Sequence, residues 1–143
     1  TIVNLTLNET STITNGITND SNIGSLNLQN DTTYIGSGSI TNALDIAGSK
    51  TLTATNNGIN ILFANNATGT INNAGIIDGS LTNTASSTIK TFNTGSISGS
   101  IANDATIETL NVTSNVGSIA NNTNATIETL NVDSNVGSIA NNT

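Results

Sequence analysis

Residues 104–143 are one twenty-residue segment written twice. Asp104–Thr123 reads DATIETLNVTSNVGSIANNT, and Asn124–Thr143 reads NATIETLNVDSNVGSIANNT. Two positions differ: Asp104 becomes Asn124, and Thr113 becomes Asp133. So short and strict a period confines the chain to architectures in which each repeat is one layer, burying its apolar residues against the layers on either side. Within the repeat, Ile107 stands alone, Leu110 and Val112 alternate with Asn111, and Val116 and Ile119 flank Gly117-Ser118. Asn121-Asn122-Thr123 reads as the closing turn. This pattern predicts three short strands and three bends per rung. The period sets Ile107 over Ile127, Leu110 over Leu130, Val112 over Val132, Val116 over Val136 and Ile119 over Ile139. Rungs at strand spacing, ~4.8 Å, turn these pairs into apolar columns inside a thin tube. Asn111 over Asn131, Asn115 over Asn135 and Asn121 over Asn141 are expected to form amide ladders.

A looser signature extends the array. Gly-Ser-aliphatic words begin at Gly24 (GSLNL), Gly38 (GSITN), Gly79 (GSLTN), Gly99 (GSIAN), Gly117 (GSIAN) and Gly137 (GSIAN), at intervals of 14, 41, 20, 18 and 20 residues. The interval of 41 leaves room for one degraded copy, Gly58–Asn65, and the interval of 14 marks the first rungs as irregular. Val3, Leu5 and Leu7 share one strand face, and Asn15-Gly16 is a strong turn dipeptide. No segment carries apolar residues at helical spacing over three turns. The expected fold is therefore all-β, a single-stranded parallel β-helix (β-solenoid) of about seven rungs, each of about 20 residues. It forms one domain over residues 1–143, with irregular rungs in 1–65 and regular rungs in 66–143.

Composition agrees with a narrow core. Hydrophobic residues make up 34%, below the ~45–50% of an ordinary globular domain. The aromatic residues are Tyr34, Phe63 and Phe92. Charged residues are only 8%, while Ile, Leu and Val recur regularly, which sets the chain apart from disordered polar sequences. The net charge is −7, and Lys50 and Lys90 are the only basic side chains. No basic stripe exists to displace counterions, so nucleic acid and anionic membrane surfaces are excluded as partners. The longest apolar run, Ile61–Ala64, is far short of the ~20 residues that span a bilayer. No basic n-region precedes an apolar stretch, and the chain starts without Met. It is read as a mature form or a fragment.

The chemistry of common active sites is largely missing. With no His and no Cys, Ser–His and Cys–His nucleophiles and the usual zinc sites are excluded. Gly36-Ser37-Gly38 lacks the third glycine of a dinucleotide loop, and Gly48-Ser49-Lys50-Thr51 lacks the glycine that directly precedes the lysine of a P-loop. Glu108 and Glu128 lie one rung apart, near the ~5–5.5 Å between the carboxylates of retaining glycosidases. Stacking gives that spacing to any repeated pair, however, and a solvated pair is the expectation. Asp20, Asp31, Asp45, Asp78, Asp104 and Asp133 offer oxygen ligands, yet no EF-hand loop or Gly-Gly-x-Gly-x-Asp motif is present. Thr51-Leu52-Thr53-Ala54-Thr55 displays threonine on one strand face, the arrangement of ice-binding ranks, but the word does not recur rung after rung. Sequons such as Asn4–Thr6, Asn66–Thr68 and Asn124–Thr126 are expected by chance in so Asn- and Thr-rich a chain. No catalytic, cofactor-binding or metal-binding residue is assigned, and neither a cofactor nor a small-molecule substrate is expected.

The words Gly69–Gly79 (GTINNAGIIDG), Gly79–Asn83 (GSLTN) and the repeated Gly-Ser-Ile-Ala-Asn-Asn resemble the passenger regions of bacterial autotransporters (type V secretion) and related haemagglutinin-like adhesins. The resemblance implies a right-handed parallel β-helix, exported through an outer membrane and displayed on the bacterial surface or secreted. It brings no functional residues, because that family has no universal site in its stalk. No β-barrel translocator follows Thr143, so membrane attachment would come only through other parts of a parent protein. The expected role is structural and non-enzymatic: a stalk or adhesin segment, with a host or cell-surface receptor as partner. The alternative is a filament subunit. Asn141–Thr143 repeats Asn121–Thr123 and no capping helix is legible, so open ends invite end-to-end stacking.

Overall fold

The computed structural model describes residues 1–64 and 69–142. In chain order the strands are β1 (Ile2–Leu7), β2 (Ile17–Thr18), β3 (Asn22–Leu28), β4 (Thr32–Ile35), β5 (Ser39–Ile46), β6 (Thr51–Ala54), β7 (Ile59–Ile61) and β8 (Thr70–Asn73). They continue as β9 (Ile76–Asp78), β10 (Leu81–Asn83), β11 (Thr88–Asn93), β12 (Ser96–Asn103), β13 (Thr106–Val112), β14 (Val116–Asn121), β15 (Thr126–Val132) and β16 (Val136–Asn141). All pair in parallel, with strands roughly one rung apart as neighbours. The chain is thus a parallel β-solenoid.

Pairing sorts the strands into three stacks. The first runs through β1, β3, β5, β8, β11, β13 and β15, and its inward column is Leu5, Leu26, Leu44, Ile71, Phe92, Leu110 and Leu130. Those seven residues mark seven rungs. The second stack joins β2, β4, β6 and β9 to the start of β12, which continues to β14 and β16. The third joins the first residues of β3 and β5 to β7, β10 and the later parts of β12, β14 and β16. The five apolar stackings expected from the twenty-residue period are all present.

Three details differ from the sequence reading. Ile107 does not form a strand of its own: it belongs to β13 with Leu110 and Val112. Glu108 and Thr109 between them both face outward, so the strand bends there without breaking. Asn121 is not part of the closing turn but the last residue of β14, and its column reaches the core. The Gly24–Leu28 word is not a copy of the Gly38–Asn42 word: Ser25 and Leu26 sit in the first stack opposite Ala43 and Leu44, whereas Ser39 and Ile40 sit in the third opposite Asn60 and Ile61. This explains the interval of 14. The copy expected at Gly58–Asn65 contains β7, which fills the third stack between β5 and β10. Residue 65 and the boundary placed at 65/66 lie outside the described residues.

The core is one continuous cluster of apolar side chains stacked in several parallel columns. Leu26, Leu44, Ile71, Phe92 and Leu110 are fully buried, as are Tyr34, Phe63, Ile101 and Ile107. Each such residue contributes ~1.5–3 kcal/mol of transfer free energy. Phe63 takes the room left by a missing side chain: a Cβ on Gly69 would lie 2.6 Å from its ring. Between the second and third stacks the rungs close on one another through glycine. A Cβ on Gly99 would meet the Gly79 carbonyl oxygen at 2.5 Å, one on Gly117 that of Gly99 at 2.4 Å, and one on Gly137 that of Gly117 at 2.3 Å. The recurrent Gly-Ser words therefore mark a corner where backbone packs directly on backbone.

Polar residues also enter the core, and they do so in register. Asn83, Asn103, Asn121 and Asn141 form an inner ladder: each Nδ2 donates to the Oδ1 of the next rung, at 2.7, 2.8 and 2.9 Å. Below Asn83 the column changes to Ile61, and the buried Asn83 Oδ1 is left without a partner. The corner amides close local turns, with Asn73 Oδ1 accepting from Gly75 N at 3.0 Å and Asn103 Oδ1 from Ala105 N at 3.4 Å.

Candidate functional site

The side chains singled out in the sequence are dispersed and mostly occupied with their neighbours. Glu108 and Glu128 fall between the paired positions Ile107–Ile127 and Thr109–Thr129, so they do stack one rung apart. Both lie on the outer surface, with Lys90 at the equivalent position one rung lower. Asp45 accepts from Asn72 at 3.2 Å, Asp78 from Ser98 at 2.7 Å, Asp104 from Asn122 at 2.7 Å, and Asp31 from the Thr51 amide at 2.8 Å. Each of these carboxylates joins adjacent rungs. Among the described residues no three acidic side chains come together as a metal-holding group. Asn66–Thr68 lies outside the described residues.

Tyr34, Phe63 and Phe92 are all fully buried, so none of them lines a surface groove. Tyr34 sits beside Asn19, whose Nδ2 donates to the phenol oxygen at 2.8 Å. Burial pushes the Tyr34 phenol above its ordinary pKa, and the Asn19 hydrogen bond opposes that shift. A surface depression of about 380 Å³ lies at a corner formed by Ser49, Asn73-Ala74-Gly75-Ile76, Gly95-Ser96 and Thr113-Ser114. It is open and lined by backbone, hydroxyls and Ile76.

The feature that sequence reading missed is the outer surface of the first stack. Thr70, Thr91, Thr109 and Thr129 occupy one outward position of four successive rungs, and Asn72, Asn93, Asn111 and Asn131 occupy the outward position two residues on. The asparagines form a second ladder, running opposite to the inner one. Asn131 donates to Asn111 at 2.8 Å, Asn111 to Asn93 and Asn93 to Asn72 at 2.9 Å, and Asn72 to Asp45. Asp45, which can only accept when ionised, terminates this ladder, as Asp104 terminates a shorter one through Asn122 to Asn142. The Asn111–Asn131 and Asn121–Asn141 pairs were expected. Asn115 instead accepts from Ser134 at 3.2 Å. The signal for the outer ranks was Thr-x-Asn at residues 70–72, 91–93, 109–111 and 129–131, whose intervals of 21, 18 and 20 hide it until the register is known.

The arrangement defines a β-solenoid with ranked polar surfaces, a fold suited to a structural or adhesin-like role. No family model matches the chain, and no curated protein or solved structure shows a significant match to it. Among the described residues no helix is long and apolar enough to cross a membrane.

Proposed function

We propose that the chain is a rigid segment of a bacterial surface protein, a stalk or adhesin section of autotransporter-like construction, displayed on the outer surface or secreted. The observation that carries this reading is the uninterrupted column Leu5 to Leu130 through seven rungs, with polar ladders tying together the rungs from Asp45 onward. At strand spacing these rungs make a rod roughly 30–35 Å long. Such a rod sets a fixed distance between whatever stands at its two ends, which is the task of a stalk. In this reading the role is non-enzymatic: Asp31, Asp45, Asp78 and Asp104 link rungs, and no three acidic side chains come together among the described residues. Its partner in this reading is a host or cell-surface receptor. The test is surface labelling of the native cells with an antibody against the folded chain. Labelling of intact cells or of the medium supports the reading; labelling only after permeabilisation rejects it.

A second reading, a filament subunit, is favoured by the end rungs. β15 and β16 pair on one side only, and Val132 and Ile139 are 45% and 53% exposed. At the other end Ile2 and Val3 are 49% and 70% exposed. A further rung, from more chain or from a second copy, would cover them. Continuing the register would set Leu5 of a second copy on Leu130, and would place its Ile2 where Asn141 already lies. A continuous filament therefore requires residues 1–3 to swing aside. Electron micrographs over a concentration range decide: discrete short rods at every concentration count against the filament.

A further inference from the structure

The Thr and Asn ranks of β8, β11, β13 and β15 form a periodic lattice, and the stalk reading uses its links between rungs but not its outward face. Its repeats are about 4.8 Å along the solenoid and about 6.6 Å along the strand, two residues apart. Three rung steps span roughly 14 Å. The axial repeat is held by the backbone register of three consecutive parallel pairings. The Asn side chains are fixed amide to amide at 2.8–2.9 Å. The Thr side chains are β-branched and stiff at χ1. Little side-chain freedom is left to lose on contact with an equally periodic surface.

We propose that this face binds the surface of ice. Both repeats are close to distances between non-adjacent oxygens in the ice lattice. Each threonine hydroxyl can take a lattice position as donor and acceptor, while its methyl group holds the neighbouring water in an ordered cage. One hydroxyl–water contact is nearly neutral against liquid water. Four matched threonines beside four matched amides act together, so the affinity comes from simultaneous engagement of the rank. A carbohydrate crystal is the competing periodic ligand, but sugar rings are bound through exposed aromatic faces, and all three aromatics here are buried. Lys90, Glu108 and Glu128 line one border of the face and lie outside the two ranks.

The test is thermal hysteresis and ice-recrystallisation inhibition by the 143-residue chain. Three variants are compared with it: T91R/T109R on the ranked face, N93D/N111D in the ladder, and T82R on the third stack as a surface control. Far-UV circular dichroism and melting verify that each is folded. The expected result is activity in the parent chain and in T82R, loss to buffer level in T91R/T109R, and a marked reduction in N93D/N111D. No ice activity in the folded parent chain overturns the proposal. So do activity retained in T91R/T109R, an equal loss in T82R, or binding to crystalline chitin or cellulose without effect on ice. The outcome is independent of where on the cell the protein resides.

Discussion

Replacing Asn103 by isoleucine tests whether the inner ladder stabilises the fold or merely tolerates burial. Asn103 is fully buried. Its Nδ2 lies 2.8 Å from Asn121 Oδ1 and 2.9 Å from the Thr126 carbonyl, and its Oδ1 accepts from Asn83 at 2.7 Å. Isoleucine fits the column, because Ile61 occupies it below Asn83. The substitution removes two ladder bonds, each worth ~1 kcal/mol net, and strands the polar groups that faced them at ~1–3 kcal/mol. Added apolar burial returns ~1 kcal/mol. The expected loss is about 2–4 kcal/mol, read by urea unfolding followed by far-UV circular dichroism with an unchanged m-value. The triple variant N83I/N103I/N121I removes both amides of the Asn83–Asn103 and Asn103–Asn121 bonds together, so its cost should fall well below three times that of N103I. The reasoning is refuted if N103I costs less than ~0.5 kcal/mol, or if the triple variant costs about three times the single one.

Gly117→Ala places a Cβ 2.4 Å from the Gly99 carbonyl oxygen, and should cost about 1–3 kcal/mol by forcing the rungs apart; an unchanged melting temperature contradicts the close approach. Tyr34→Phe should cost ~1 kcal/mol near neutral pH by removing the acceptor of the Asn19 amide. Because the folded pKa of Tyr34 is raised, its protonated form stabilises the fold below the unfolded value, about 10, and that contribution is lost as pH rises through the folded value. Melts between pH 8 and 11 should therefore show a shallower alkaline decline in the variant, and parallel curves would count against the buried phenol. Deleting residues 104–123 joins Asn103 to Asn124 and sets β15 on β11 with like residues in register. The shortened chain should stay folded and lose one strand spacing, ~4.8 Å, of length by small-angle scattering; a random-coil spectrum would refute the rung as an independent unit.

Much of the architecture was legible because a repeat constrains contacts without reference to anything distant. Two copies at a fixed offset must stack like on like, and Ile107, Leu110, Val112, Val116 and Ile119 do so on Ile127, Leu130, Val132, Val136 and Ile139. The low hydrophobic fraction pointed to a thin core for an equally local reason. The earlier rungs were less legible. Offsets down the first stack are 21, 18, 27, 21, 18 and 20 residues, so no single period carries the register through the early rungs.

The sequence by itself determined the class: parallel rungs of about 20 residues around stacked apolar columns, with polar residues outside. Tertiary structure decided which polar residues go in and which line up. Asn121 reads as a turn residue because a lone amide is costly to bury. It turns inward, half-buried and in register, because Asn103 and Asn141 stand one rung away on either side and satisfy it. The Thr and Asn ranks likewise exist only once unequal intervals are folded into equal rungs. Stacking converts distance along the chain, which varies, into distance along the axis, which backbone hydrogen bonding holds constant at about 4.8 Å.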